Sequence, residues 1–193
     1  MKVALFSNTY WPTVNGVAVS VANLRDGLVE LGHEADIFAP APPGFDRSED
    51  QPGVYRFPSL MPPRWLTKQR YPIALPWSGE VWTRLSQCDY DLVHTHHPWH
   101  VGQWAQWYAG WKDLPLVSTV HTQYELYAKE ICFPDLLLEW WIRRKLKKHI
   151  REATVVTTPG RGSMVRQHKL CNTAKLLEVS NATKLERFWS ANG

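Results

Sequence analysis

The chain is 193 residues long, with 44% apolar residues, 21% charged residues and a formal net charge of +4. That length holds one sizeable core and is marginal for two, and the composition is that of an ordinary globular domain, not a disordered or fibrous chain. No stretch is apolar for long enough to cross a bilayer, and the apolar run of the opening MKVALFSNTYW is too short for a secretory signal. Cys88, Cys132 and Cys171 form no C-x-x-C pair, so a reducing, cytoplasmic setting with inert thiols is expected.

KVALF (2–6) is a short apolar run ending in Ser7-Asn8, as a buried parallel strand does. After the loop NTYWPTVNG, Val17, Val21, Leu24, Leu28 and Leu31 recur at spacings of four and three, which predicts one helical face ended by Gly32. ADIFAP (35–40) and VYRF (54–57) read as strands. The segment 58–76, with Pro58, Pro62, Pro63, Pro72 and Pro76, reads as an irregular loop. Further on, the pattern predicts a helix over 78–87, strand 91–94 and a helix from Pro98 to about Trp111. It continues with strand 114–120, a long helix 134–152, strand 154–158, helix 160–169 and strand 175–179. Strands alternating with helices make βαβ units. The expected architecture is α/β, a Rossmann-like open parallel sheet with helices on both faces.

In such a sheet ligands sit beyond the carboxyl ends of the strands. Three stretches emerge there: SNTYWPTVNG, HTHHPWH and HTQYELYAKE. The second places His94, His96, His97 and His100 within seven positions. Zinc fits poorly, because no cysteine is near and Asp89 and Asp91 precede or lie within the strand. A serine hydrolase fits no better, since G-x-S-x-G is absent. His94 reads as a hydrogen-bonded packing residue, and His96 and His97 as the pair on a pocket's polar rim. His100 falls in register with Trp104, Trp107 and Trp111, a stripe expected to pack on the sheet. The G-x-G-x-x-G of dinucleotide enzymes is also missing. Gly16 alone, at a helix start, lets a backbone amide approach a phosphate.

The helix 134–152 begins apolar and ends in RRKLKKHIR, with six Lys or Arg in nine residues. Leu138, Trp141, Ile142 and Leu146 are expected to form one face; Trp140, Trp141, Arg143, Arg144, Lys147 and Lys148 are candidates for membrane contact. The alternative is a solvated helix end whose cations complement the macrodipole. Nucleic acid is not an expected partner, for only one basic run exists.

Four segments together resemble family-4 glycosyltransferases of the GT-B fold. These are NTYWPTVNGVAVSVANLRDGLVELGHEADIFAP with its P-x-x-N-G-V loop and LGHE turn, DYDLVHTHHPWHVGQWA, PLVSTVHTQYELYAKE, and the hinge-like LLEVSNATKLERFWSANG. The middle two are similar to the diacylglycerol glucosyltransferase branch. In the last, Ala182-Thr183 replace the Gly-hydrophobic pair usual in P-N-G-V-D.

The resemblance implies that residues 1–180 form the N-terminal, acceptor-side domain and 181–193 the start of the interdomain hinge, with the donor domain lying outside this chain. It implies a retaining transfer of a hexose from a UDP- or GDP-sugar to a membrane lipid such as diacylglycerol, with no metal or other cofactor, by front-face displacement. The alternatives are a soluble sugar or glycan acceptor, or a non-catalytic binding module. Carried onto this chain, His121 in TVHTQYE stands beside the donor sugar as the catalytic residue, and Asn15 and Gly16 meet the diphosphate. Tyr10, Trp11, His96, His97, Tyr124 and Tyr127 would line the acceptor side. The implied location is the inner face of the plasma membrane, held peripherally by an anionic surface.

Overall fold

The computed structural model describes residues 1–63, 71–121, 135–160 and 175–181. The elements follow in chain order: β1 (Lys2–Phe6), α1 (Gly16–Glu30), β2 (Glu34–Pro40), β3 (Val54–Phe57), β4 (Ser59–Leu60), β5 (Ile73–Ala74), α2 (Gly79–Gln87), β6 (Leu92–Thr95), α3 (Val101–Lys112), β7 (Leu116–Thr119), α4 (Asp135–Glu152), β8 (Val155–Thr158) and β9 (Lys175–Glu178). Seven strands pair in parallel in the order β3-β2-β1-β6-β7-β8-β9, as the βαβ reading expects. The segment expected to be irregular contains a short antiparallel pair, β4 with β5. The expected helix 160–169 after its first residue Gly160, Tyr124, Tyr127 and the hinge beyond Asn181 lie outside the described residues.

Two apolar layers hold the sheet. Strand alternation sends Val3, Leu5, Ile37 and Ala39 to one face, where Val21, Leu24 and Leu28 of α1 cover them. Ala4, Phe6, Phe38, Phe57 and Val93 go to the other face, under α2, α3 and α4. Leu31, expected on the inner stripe of α1, is exposed, because the helix has ended there and Gly32 turns the chain at φ +78°.

In α3 most of the stripe expected inside faces out, and Trp104 alone of its tryptophans packs against the core, its ring 4.7 Å from that of Phe57. Trp107 and Trp111 are more than half exposed and lie ring on ring at 5.6 Å; His100 is exposed and Trp104 half-buried. The inner positions are Val101, Gly102, Ala105, Tyr108 and Ala109, whose small members bring the helix axis close to the sheet. The helix also begins at Val101, three residues after Pro98. In α4 the buried stripe is Ile142, Leu146, His149 and Ile150, continued by Ala153. Trp141 leaves this face and stacks on Trp99 at 5.7 Å, nearly parallel.

Candidate active site

Strand order reverses between β1 and β6: from β1 the chain runs outward through β2 and β3, and from β6 outward through β7 to β9. Loops leaving the carboxyl ends of β1 and β6 therefore part in opposite directions and leave a crevice. Backbone bonds carry the ladder just past the strand ends, from Ser7 N–H to Phe38 O (3.1 Å) and from His96 N–H to Phe6 O (2.9 Å). Asn8, His96 and His97 thus meet at the reversal, and His121, two residues beyond β7, joins them.

The histidines form a network with separate duties. His94 and His96, two apart on the strand, share one face and stack at 4.3 Å. His94 Nε2 bonds Thr119 Oγ1 (2.7 Å), which bonds Thr157 Oγ1 (2.6 Å), so a polar row crosses β6, β7 and β8. This agrees with the packing role expected of His94. His96 is buried, and its Nδ1 lies 2.9 Å from His121 Nε2. The two rings are within 20° of coplanar with centroids 5.2 Å apart. That is the separation of rings meeting edge to edge through an in-plane hydrogen bond, not of a face-to-face stack. His96 is therefore not on an open rim as expected; the strand's alternation turns it inward.

His97, half-buried, points the other way. Its Nδ1 receives the Trp99 N–H (3.3 Å) and lies 3.0 Å from Asn8 Nδ2. A backbone N–H can only donate, so this nitrogen is the acceptor and the proton sits on Nε2. Among the described residues, no three His, Cys, Asp or Glu side chains are grouped to hold a metal.

Burial leaves these imidazoles neutral. It pushes His94 and His97 down to about 3 and His121 and His149 down to about 4, and it holds His96 well below the ordinary range, with His94 and His121 adding to that. At neutral pH the site offers hydrogen-bonding nitrogens and no imidazolium charge.

The loop between β1 and α1 is fixed from below by a residue that sequence reasoning missed. Arg56 is 1% exposed. Its guanidinium forks onto Asp50 (Nε to Oδ2 2.9 Å, Nη2 to Oδ1 2.5 Å) and donates to Pro40 O and Trp11 O. It also lies over the Tyr10 and Phe45 rings. Tyr10, expected on the acceptor side, is buried in the α1 layer and raised in pKa by that burial, so it supports the loop from within. Trp11 is 44% exposed and remains at the surface.

Asn15 caps α1: its Oδ1 accepts from Ala18 N–H (2.9 Å) and from Thr9 Oγ1 (3.4 Å). Its side-chain oxygen is thereby committed to the helix, and its amide Nδ2 is the group left to meet a ligand. Gly16 and Val17 keep N–H groups without a partner among the described residues. No heavy atom stands within 4 Å of where a Gly16 Cβ would lie. This helix end is open and electropositive.

Gly102 is the second missed residue. A Cβ there would sit 1.6 Å from His97 O, so only glycine lets α3 pass beneath the histidine loop. No periodic signal announces it, since the contact comes from outside the helix.

The membrane candidates divide cleanly. Trp140 (60% exposed), Trp141, Arg143, Arg144, Lys147 and Lys148 all lie on the outer side of α4, opposite the buried stripe. Arg144 lies over the Trp140 ring and Lys145 over the Trp141 ring. Through the Trp99–Trp141 stack this surface connects to the loop carrying His97. No helix among the described residues is long and apolar enough to cross a membrane.

An alpha-monoglucosyldiacylglycerol synthase of Acholeplasma laidlawii is 34% identical over 127 residues, 66% of this chain and 31% of its own length. Its Streptococcus pneumoniae counterpart is 29% identical over 82% of this chain and 35% of its own. A GDP-mannose-dependent alpha-mannosyltransferase of Mycobacterium tuberculosis is 33% identical over 73% of this chain and 37% of its own. The chain spans about a third of the length of these relatives.

Among solved structures, a sucrose-phosphate synthase from Thermosynechococcus elongatus superposes with TM-score 0.67 at 15% identity, over 96% of this chain and 49% of that one. The catalytic domain of starch synthase IV from Arabidopsis thaliana does so with TM-score 0.58 at 14% identity, over 96% and 52%. These show the fold, an α/β Rossmann-like sheet of the kind found in GT-B glycosyltransferases. The model of Glycosyltransferase Family 4 matches residues 14–179, from the loop before α1 to the end of β9, and the chain belongs to that family.

Proposed function

We propose that this chain is the acceptor-side domain of a retaining glycosyltransferase that moves a hexose from a nucleotide sugar to a lipid such as diacylglycerol at an anionic membrane surface. Residues 1–180 form that domain, 181–193 begin the hinge, and the donor domain lies outside the chain. The observation that carries the transferase reading is that the open helix N-terminus at Gly16 and the neutral His121 both follow carboxyl ends of strands at the strand-reversal edge of the sheet. The first suits a leaving diphosphate, because backbone N–H groups stabilise the charge that develops on it. The second hydrogen-bonds a hydroxyl of the transferring sugar. His97, Trp11, Tyr124 and Tyr127 face the acceptor in this reading. The lipid acceptor is supported by the two diacylglycerol-related relatives and by the cationic, tryptophan-bearing outer side of α4.

The test uses the full-length protein with UDP-glucose or GDP-mannose and diacylglycerol in vesicles. His121→Ala is expected to lower kcat about 10²-fold with little change in acceptor KM. Undiminished turnover would remove His121 from the chemistry. Binding of the chain to vesicles is expected to rise with anionic lipid and fall with salt, by on the order of 1 kcal/mol per surface-near cation. The triple change Arg144→Glu, Lys147→Glu, Lys148→Glu should abolish most of it while the circular dichroism stays the same. Unchanged binding would favour a soluble acceptor.

A further inference from the structure

We infer that His96 is a positioning residue: it donates Nδ1–H to His121 Nε2 and thereby holds His121 as the Nδ1–H tautomer, a hydrogen-bond donor with no basic nitrogen left to accept a proton. This rests on the reading of His121 as the residue beside the transferring sugar, but it concerns a different property of that residue, namely which nitrogen carries its proton.

The argument is one of satisfying buried nitrogens. Only one proton lies between His96 Nδ1 and His121 Nε2, which are 2.9 Å apart. The near-coplanar rings direct each lone pair along the line to the other ring. Two arrangements are available to neutral imidazoles. In the first, His121 donates from Nε2, and His96 must then carry its own proton on its Nε2. That nitrogen is buried and has no hydrogen-bond partner among the described residues. A dry, unpartnered N–H is the rarest and among the costliest of buried polar groups. In the second, His96 donates from Nδ1 and leaves a bare lone pair on Nε2, which loses less by being dry.

Fixed neighbours hold His96 in place for this task. Its ring is 2% exposed, sandwiched against His94, and its backbone N–H is tied to Phe6 O. His94 in turn is anchored through Thr119 to Thr157. The ring that orients His121 is thus itself oriented by three strands. The consequence for mechanism is specific. With Nε2 engaged and Nδ1 protonated, His121 donates to an oxygen of the sugar and does not act as general base, so the acceptor proton must leave by another route.

The experiment is long-range ¹H–¹⁵N correlation of the histidine rings in the ¹⁵N-labelled chain at neutral pH, which reads the protonated nitrogen of each imidazole directly. The wild type is expected to show His96 and His121 both protonated on Nδ1, and His97 on Nε2. His96→Leu removes the donor, and His121 should then shift toward the Nε2–H form. His96→Asn, whose amide nitrogen stands near the position of Nδ1, should return it to Nδ1–H. In the full-length enzyme His96→Leu should lower kcat by about 10²-fold, a loss of the size expected from misplacing a reacting group, and His96→Asn should recover most of it. An Nε2–H signal for His121 in the wild type, or a tautomer unmoved in His96→Leu, overturns the inference even if the transferase reading stands. If the tautomers are as expected but His121→Ala transfers sugar normally, the positioning stands and the sugar contact falls.

Discussion

Two glycines in one helix should respond to alanine with opposite signs. Gly102 and Gly110 both lie in α3 and both carry the helical penalty of glycine, about 1 kcal/mol relative to alanine. At Gly110 nothing lies within 4 Å of an added Cβ and the position is exposed, so Gly110→Ala should stabilise by roughly 0.5–1 kcal/mol. At Gly102 the added carbon would stand 1.6 Å from His97 O and 2.7 Å from His97 C. Backbone cannot yield by a rotamer change, so the loop or the helix must move. His97 is held by Thr95 Oγ1 to its carbonyl (2.9 Å), by Asn8 (3.0 Å) and by the Trp99 N–H (3.3 Å). Giving up these bonds costs about 1 kcal/mol each, and overpacking itself about 1–3 kcal/mol. Less the helical gain, Gly102→Ala should destabilise by roughly 3–5 kcal/mol. The two variants should then differ by about 4–6 kcal/mol, or on the order of 10–20 °C in Tm for a chain of this size. Urea unfolding of both, with equal m-values, measures this. A Gly102→Ala protein as stable as Gly110→Ala would show that the helix does not run beneath the His97 carbonyl.

Two further outcomes are expected. Arg56→Ala strands Asp50 and releases the Pro40 and Trp11 carbonyls, so it should cost about 3–5 kcal/mol and speed amide exchange at Thr13, whose N–H bonds Tyr10 O. Arg56→Lys keeps the charge but not the fork and should recover only part; a loss under 1 kcal/mol for Arg56→Ala would refute the staple. The second outcome concerns acid. His94, His97, His121 and His149 sit at about 3–4 in the folded chain, below the ordinary 6.5, so the unfolded chain takes up their protons first. Their contribution is complete above pH 6.5 and is lost as pH falls toward 4, by roughly 1 kcal/mol per histidine between pH 7 and 5.5. Unfolding free energies flat across that interval would contradict their burial, and because His96 is held low as well, His149→Gln should remove about a fifth of the slope.

The strands and helices were legible because burial imposes a period, and the period survives in the letters: KVALF, ADIFAP and TVVTT read as buried strands and occur as such. The histidines were legible as a cluster but not as a circuit. Their partners, Thr119 and His121 for His94 and His96, lie 25 residues away, and only the strand register brings them together. Alternation alone separates His96 from His97, which is why the expected pair on the rim divides into one inward and one outward ring. Arg56 left no trace, because an arginine within VYRF looks like the solvent side of a strand until Asp50 and two carbonyls close around it.

The inverted reading of α3 has the clearest cause. Trp104, Trp107 and Trp111 recur with the helical period, and so do Val101, Ala105, Tyr108 and Ala109. Periodicity identifies both stripes equally and cannot choose between them. Size does: a helix lying across a sheet needs small residues where the axes approach, and three indoles would hold it too far out for Gly102 to meet His97. Trp107 and Trp111 therefore face away, while Trp104 packs at the edge of the core on Phe57. Trp107 lines a shallow pocket between α3 and α4 together with Lys145 and Lys148. Lys148, which the vesicle experiment reverses, thus stands on the outer side of α4 and beside an exposed indole of α3.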